Sequence, residues 1–207
     1  MKRSKLIDRR HMMTGFATLV LAPAAQAQVR EHNNFFDRLF GGFGQSNRWR
    51  NKTYAGKQVV PYRTAEKPGT IVINTRERTL YLVRPGDEAI AYGIGVGRDG
   101  FRWSGRAKVG RKAEWPAWHP PQEMIERELR QYGRKLPERM EGGPNNPLGA
   151  RALYLYVGGK DTLYRIHGTN QPQTIGQALS SGCIRMLNEE VIDLYERVDI
   201  NTPVVVM

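Results

Sequence analysis

Of 207 residues only one, Cys183, is a cysteine. That excludes an internal disulfide and any zinc site built on paired cysteines. There are four histidines, scattered and never in an H-E-x-x-H spacing, so neither a metal nor another cofactor is expected. No apolar run approaches the ~20 residues that cross a bilayer as a helix. No internal repeat is visible. Acidic residues are also scarce: 20 Asp and Glu against 32 Lys and Arg give a formal net charge of +12. A basic chain favours anionic partners, whether nucleic acid, anionic lipid or an acidic polymer, and charge alone does not choose among them. The 40% hydrophobic and 25% charged fractions are those of a globular chain. The length suits one ordinary domain with extra segments, or at most two small domains.

The first 27 residues address the compartment. Lys2, Arg3, Lys5, Arg9 and Arg10 precede a short apolar run from Met12 to Leu21, followed by Pro23 and Ala24-Ala25-Gln26-Ala27. A basic region, an apolar region and an A-x-A site read as a secretory signal peptide cleaved near Ala27. The Arg9-Arg10 pair also suits a twin-arginine signal. The expectation is an exported protein of the periplasm or cell envelope, with no transmembrane span after signal removal. Export argues against nucleic acid as a partner. It also makes the lone cysteine conspicuous, because an exported thiol is a liability unless buried or used.

Residues 28–68, with Gly41-Gly42-Phe43-Gly44 and little periodicity, read as a linker or N-terminal extension. Residues 69–207 form the folded domain. Runs 70–74 and 79–83 flank the polar joint 75–78 and read as a hairpin. Ala89 to Val96 reads as a third strand and Ala107 to Val109 as a short fourth. Pro120-Pro121 opens a helix over 122–132. Runs 152–157 and 162–166 form a second hairpin around Gly158-Gly159. Asn188 is placed to cap a helix that runs to about Val198 with Val191, Leu194, Tyr195 and Val198 on its apolar face. Pro203 to Met207 closes the chain as a strand. Strands dominate without alternating with helices, which predicts a mainly β sandwich or barrel with two attached helices.

The chemistry concentrates in two segments, Ile166-His167-Gly168-Thr169-Asn170 and Ser180-Ser181-Gly182-Cys183-Ile184-Arg185. A thiol is a good nucleophile only as the thiolate, and a nearby imidazole can take its proton. Gly182 lets a substrate carbonyl approach the backbone, where N–H groups at Gly182 and Cys183 could form an oxyanion hole. The residues alone equally allow a buried structural cysteine near an unrelated histidine. Arg185 is suited to a substrate carboxylate or to a salt bridge with Glu189 or Asp193. In Trp115-Pro116-Ala117-Trp118-His119, at least one tryptophan is expected in the core and His119 at the surface. The loop 142–149 suits a groove wall or a plain turn. Gly95-Val96-Gly97-Arg98-Asp99-Gly100 spells G-x-G-x-x-G, but no helix pattern follows, so it is not read as a dinucleotide site.

These segments resemble the signature of the L,D-transpeptidases, the YkuD domain. His167-Gly168 matches its histidine-glycine pair, and Ser180, Gly182, Cys183, Ile184 and Arg185 match its Ser/Thr-His-Gly-Cys turn and the residues after it. Thr169-Asn170, Ile175-Gly176 and the Thr202-Pro203-Val204 strand fit as well. The resemblance covers residues 69–207. It implies a YkuD-like β-sandwich or barrel and a two-step acyl transfer. Cys183 would attack the bond before the terminal D-alanine of a peptidoglycan stem tetrapeptide. His167 would be the base, oriented by the Gly168 carbonyl. Ser180, Thr169 and Asn170 are implied near the substrate. The acceptor amine would belong to a second stem, giving a 3–3 crosslink, or to an envelope protein. One departure is Ser181, which stands beside Gly182 at the turn where many members have a histidine. The secondary roles of that imidazole do not carry over. Two alternatives share the same residues: a cysteine hydrolase of the same linkages, and a non-catalytic wall-binding module.

Overall fold

The computed structural model describes residues 56–97, 103–180 and 182–207. The expectations for residues 1–27, for most of the 28–68 stretch and for Ser181 lie outside the described residues.

Alternation sets the architecture. Ile71 and Ile73, Leu80 and Leu82, Ile90 and Tyr92, Leu153 and Leu155, and Val204 and Val206 are buried in i, i+2 pairs, so each strand presents one face to a common core. The expected first hairpin is β2 (Ile71–Asn74) and β3 (Thr79–Arg84). The third strand is β4 (Glu88–Gly93), which pairs antiparallel with β3 and ends before the short β5 (Val96–Gly97). The second hairpin is β7 (Arg151–Val157) and β8 (Lys160–His167), turned through Gly158 and Gly159, both at positive φ. The closing strand is β11 (Pro203–Val206).

Two expectations are corrected. The strand expected only at Ala107 to Val109 is β6 (Gly105–Glu114), the longest described. Arg106, Lys108 and Arg111 are exposed, while Lys112 turns inward to the Tyr195 and Val198 carbonyls, and this charge along both faces hides the strand from a hydrophobicity pattern. At Gly110 its register against β7 shifts, because a β-carbon there would collide with the Tyr156 ring. Within the stretch read as linker, β1 (Gln58–Pro61) pairs antiparallel with β4, and Lys57 bridges to Asp193.

In the nine-stranded sheet the order is β1-β4-β3-β2-β11-β6-β7-β8-β10, where β10 is Ile184–Arg185. The pairs β2–β11 and β8–β10 are parallel. Strand β5 pairs with β9 (Ala178–Ser180) in a separate ladder. Gly95, just after β4, bridges Arg185 in β10, so the two ends of the large sheet approach each other. One core cluster therefore joins β2, β3 and β4 to β7 and β8. Among the described residues the fold is mainly β with two α-helices.

Helix α1 (Gln122–Tyr132) lies between β6 and β7, starts after Pro121 and stops at left-handed Gly133, as its sequence predicts. It buries Met124 and Glu128 but leaves Leu129 exposed, because it covers only a small second cluster of Trp118, Met124, Leu136 and Leu148. Trp118 is the core tryptophan; Trp115 and His119 are exposed. Helix α2 (Asn188–Arg197) buries Val191 and Leu194 against the main core, with Glu189 and Glu190 in its first turn. Its cap residue is Leu187 without a side-chain bond, so the expected Asn188 cap is not made.

Candidate active site

Strand β8 delivers His167 to the middle of the ladder. Ala152 of β7 lies opposite it on one side and Arg185 of β10 on the other. The His167 carbonyl accepts from Met186 N–H at 2.8 Å, and Gly168 N–H donates to the Arg151 carbonyl at 3.0 Å. With both flanks fixed, the ring has little freedom. Nδ1 lies 2.5 Å from the Gly168 carbonyl oxygen. A carbonyl only accepts, so Nδ1 carries the proton of the neutral ring and Nε2 keeps the lone pair. His167 is 5% exposed. Burial is the main influence on its basicity and pulls its pKa down to about 4; the Gly168 carbonyl opposes this, while Arg185 and Arg165 add to it.

The register places Cys183. Ile184 pairs with Ile166 and Arg185 with His167 in parallel, so Cys183, the residue before β10, enters the ladder alongside Arg165. Residues two apart on a strand share a face, which puts Arg185, paired with His167, on the face of Arg165 and His167. With ~4.8 Å between strands and ~3.3 Å per residue, the Cys183 and His167 α-carbons are ~8 Å apart, within reach of facing side chains. Cys183 is half-buried. Burial pushes its thiol pKa up, and the Arg165 and Arg185 charges together with the Arg165 backbone push it back. Gly182, buried at φ 114°, turns the chain into Cys183 through a conformation that suits glycine.

Arg185 is 5% exposed and ion-pairs with neither Glu189 nor Asp193. The Asp193 carboxylate is engaged by Lys57, Arg197 and the Tyr92 hydroxyl. Nε and Nη2 of Arg185 have no hydrogen-bond partner among the described residues, and burial lowers its pKa to about 10. The salt-bridge expectation is thus corrected.

The remaining sequence candidates divide. Thr169 is buried; its N–H donates to Asn188 Oδ1 and its Oγ1 accepts from Gln171 N–H. Asn170 Nδ2 donates to the Asn145 carbonyl at 2.9 Å. Both hold the loop after β8 in place. Ser180 ends β9, opposite Gly97.

Three contributors escaped the sequence reading. Asn188 Oδ1 accepts from Ala150 N–H at 3.0 Å and Thr169 N–H at 3.2 Å, joining the strand before the site to the loop after it. Asn146 is 1% exposed; its amide donates to the Pro116, Met140 and Glu141 carbonyls and its Oδ1 accepts from Leu148 N–H. The loop 142–149 is therefore a packed turn. Arg165 is the third, and its signal was available: it lies two residues before His167 on one strand. The G-x-G-x-x-G stretch leads toward β6, a strand and not a helix, as its rejection required.

The fold has counterparts. The family model described as YkuD, L,D-transpeptidase catalytic domain, matches residues 68–206. A relative named Probable L,D-transpeptidase YbiS, from Escherichia coli K12, is 40% identical over 139 residues, covering 65% of this chain and 43% of that one. YqjB of Bacillus subtilis, which also carries an L,D-transpeptidase name, is 33% identical over 66% of this chain and 69% of its own. A crystal structure from Brucella melitensis, described as a Probable carnitine operon oxidoreductase, is 52% identical, covers 76% of this chain and 96% of that one, and has a TM-score of 0.51. The chain spans less than half the length of the Escherichia coli relatives it matches.

Proposed function

The chain belongs to the L,D-transpeptidase family, and from that premise we propose that it is a cysteine acyltransferase acting on the peptide stems of peptidoglycan. The observation that carries this reading is a histidine held by a backbone carbonyl on the strand beside which the single thiol enters. His167 Nδ1 is held by the Gly168 carbonyl, and the β8–β10 register brings Cys183 alongside.

In the first step Cys183 Sγ attacks the carbonyl carbon before the terminal D-alanine of a stem tetrapeptide. The thiol proton passes to His167 Nε2 as the sulfur–carbon bond forms. The carbonyl oxygen becomes an oxyanion, stabilised by N–H groups at Gly182 and Cys183; one such donor is typically worth ~3 kcal/mol of barrier. As the tetrahedral species collapses, the carbon–nitrogen bond breaks and the imidazolium proton goes to the departing D-alanine amine. A thioester remains. In the second step an acceptor amine attacks the thioester, gives a proton to His167, and the thiol re-forms. The Gly168 carbonyl takes the part a carboxylate plays in a Ser-His-Asp triad. Arg185, a buried guanidinium with two nitrogens lacking hydrogen bonds, is suited to a carboxylate of the stem.

The acceptor in this reading is a second stem or an envelope protein. Residues 1–27 are taken as the signal that exports the enzyme and 28–68 as the segment preceding the catalytic domain. Among the described residues, no helix is long and apolar enough to cross a membrane.

The test is intact-protein mass spectrometry after incubation with a tetrapeptide stem. An acyl adduct on Cys183, formed with release of one alanine, is the expected result. Crosslinked dimers among the products indicate transfer to a stem, and tripeptide monomers alone indicate hydrolysis. Full activity in a folded Cys183→Ala variant would overturn the reading.

A further inference from the structure

Cys183 immediately precedes β10, whose pairs with β8 are Ile184–Ile166 and Arg185–His167, so continuing that register by one residue brings the Cys183 segment alongside Arg165. The backbone and the charge of Arg165 both favour the Cys183 thiolate against the burial that opposes it. The guanidinium of the same residue is clamped. Its Nη2 donates to Asp161 Oδ2 at 3.0 Å, and its centre lies 4.7 Å from the Tyr154 ring. The other face of the cluster holds Arg111, 3.8 Å from that ring. The side chain of Arg165 is 18% exposed, so its charge is poorly screened. The other groups whose charge is coupled to Cys183 are Arg185 and Tyr164, and His167 lies two residues beyond Arg165 on β8.

Burial sets the problem that this arrangement answers. It disfavours the thiolate and the imidazolium alike, so moving a proton from Cys183 to His167 is uphill unless the new negative charge meets a fixed positive one. We propose that Arg165, clamped by Asp161 and Tyr154, is a positioning residue that stabilises the Cys183 thiolate, and that Asp161 attenuates its field. The inference rests on Cys183 being the nucleophile. It gives Arg165 and Asp161 opposite effects on the same atom, which damage to the fold would not produce.

Cys183 is the only thiol in the chain, so alkylation by iodoacetamide reads it without ambiguity. The pH dependence of that rate is measured on the full chain and on three variants. Arg165→Gln is expected to move the curve to higher pH and to lower the rate at pH 7 about three- to tenfold, since the thiolate is the reacting form. Arg165→Lys restores part of the loss. Asp161→Asn moves the curve to lower pH and raises the rate; an asparagine Oδ1 still accepts from Leu163 N–H, as Asp161 Oδ1 does at 2.8 Å. Thermal melts confirm folding, and if Arg165→Gln does not fold, the acid shift of Asp161→Asn decides alone. Shifts in the same direction for both variants, or no shift in a folded variant, would overturn the inference. Adduct formation from the tetrapeptide is scored separately. Opposite alkylation shifts without an adduct would sink the proposed function and leave the electrostatic assignment standing; an adduct without the shifts would do the reverse.

Discussion

Asn188 Oδ1 occupies the space that a β-carbon on Gly168 would need. The same oxygen accepts N–H groups from Ala150 and Thr169, so it anchors the backbone on both sides of the His167 carbonyl partner. Glycine is required at 168 by crowding.

Gly168→Ala is therefore expected to destabilise the protein by about 1–3 kcal/mol, the usual cost of overpacking. It also pushes the Gly168 carbonyl off Nδ1. Urea denaturation should show the stability loss. Adduct formation from the tetrapeptide should fall by more than the folded fraction does.

Replacing Asn188 separates its acceptor from its shape. Asn188→Ala leaves two backbone N–H groups short of an acceptor, at about 1–3 kcal/mol for each that stays dry. Asn188→Asp keeps an acceptor in place and should retain most of the stability. Equal losses in the two variants, by calorimetry, would show that the hydrogen bonds are not what matters.

His167 makes stability depend on pH. Its ordinary value is 6.5 and burial lowers it to about 4 in the folded state. Between these values the unfolded chain binds a proton that the folded chain does not, so stability falls as pH falls. The contribution is complete above about 6.5 and lost on descending to about 4, with a total of roughly 3 kcal/mol. His167→Gln should flatten this part of the curve of denaturation midpoint against pH. An unchanged slope would mean that other groups dominate.

Gly182 sits at φ 114° immediately before the nucleophile. Alanine there should cost ~1–3 kcal/mol of strain. It should also displace the N–H groups proposed for the oxyanion, slowing acylation by the tetrapeptide about 10²-fold. Iodoacetamide reacts without forming an oxyanion, so its rate with Cys183 should change far less. Parallel losses in both reactions would argue against an oxyanion hole at this turn.

Both hairpins were legible in the sequence because their strands are runs of β-branched, aliphatic and aromatic residues and each joint is polar or glycine-rich. Strand β6 was not, since charged residues along both its faces break the pattern and Gly110 shifts its register. Strand β1 sits in a polar stretch and gains its place only by pairing with β4. The Asn188 cap was a sound local expectation that failed. Its oxygen meets N–H groups 19 and 38 residues earlier in the chain, and no local rule weighs those against a helix end.

The sequence by itself determined the single thiol, the His-Gly and Gly-Cys elements, the mainly β class and the family resemblance, because these reside in residue identity and short-range periodicity. Only the tertiary structure decided that Arg185 is buried without an acidic partner, that Thr169 faces inward, and that Arg165 lies alongside the Cys183 segment. Those facts follow from the β8–β10 register, which joins segments that a loop and a short 3-10 turn keep apart in the chain. That ladder pairs Arg185 with His167 and brings the segment of the single cysteine alongside β8.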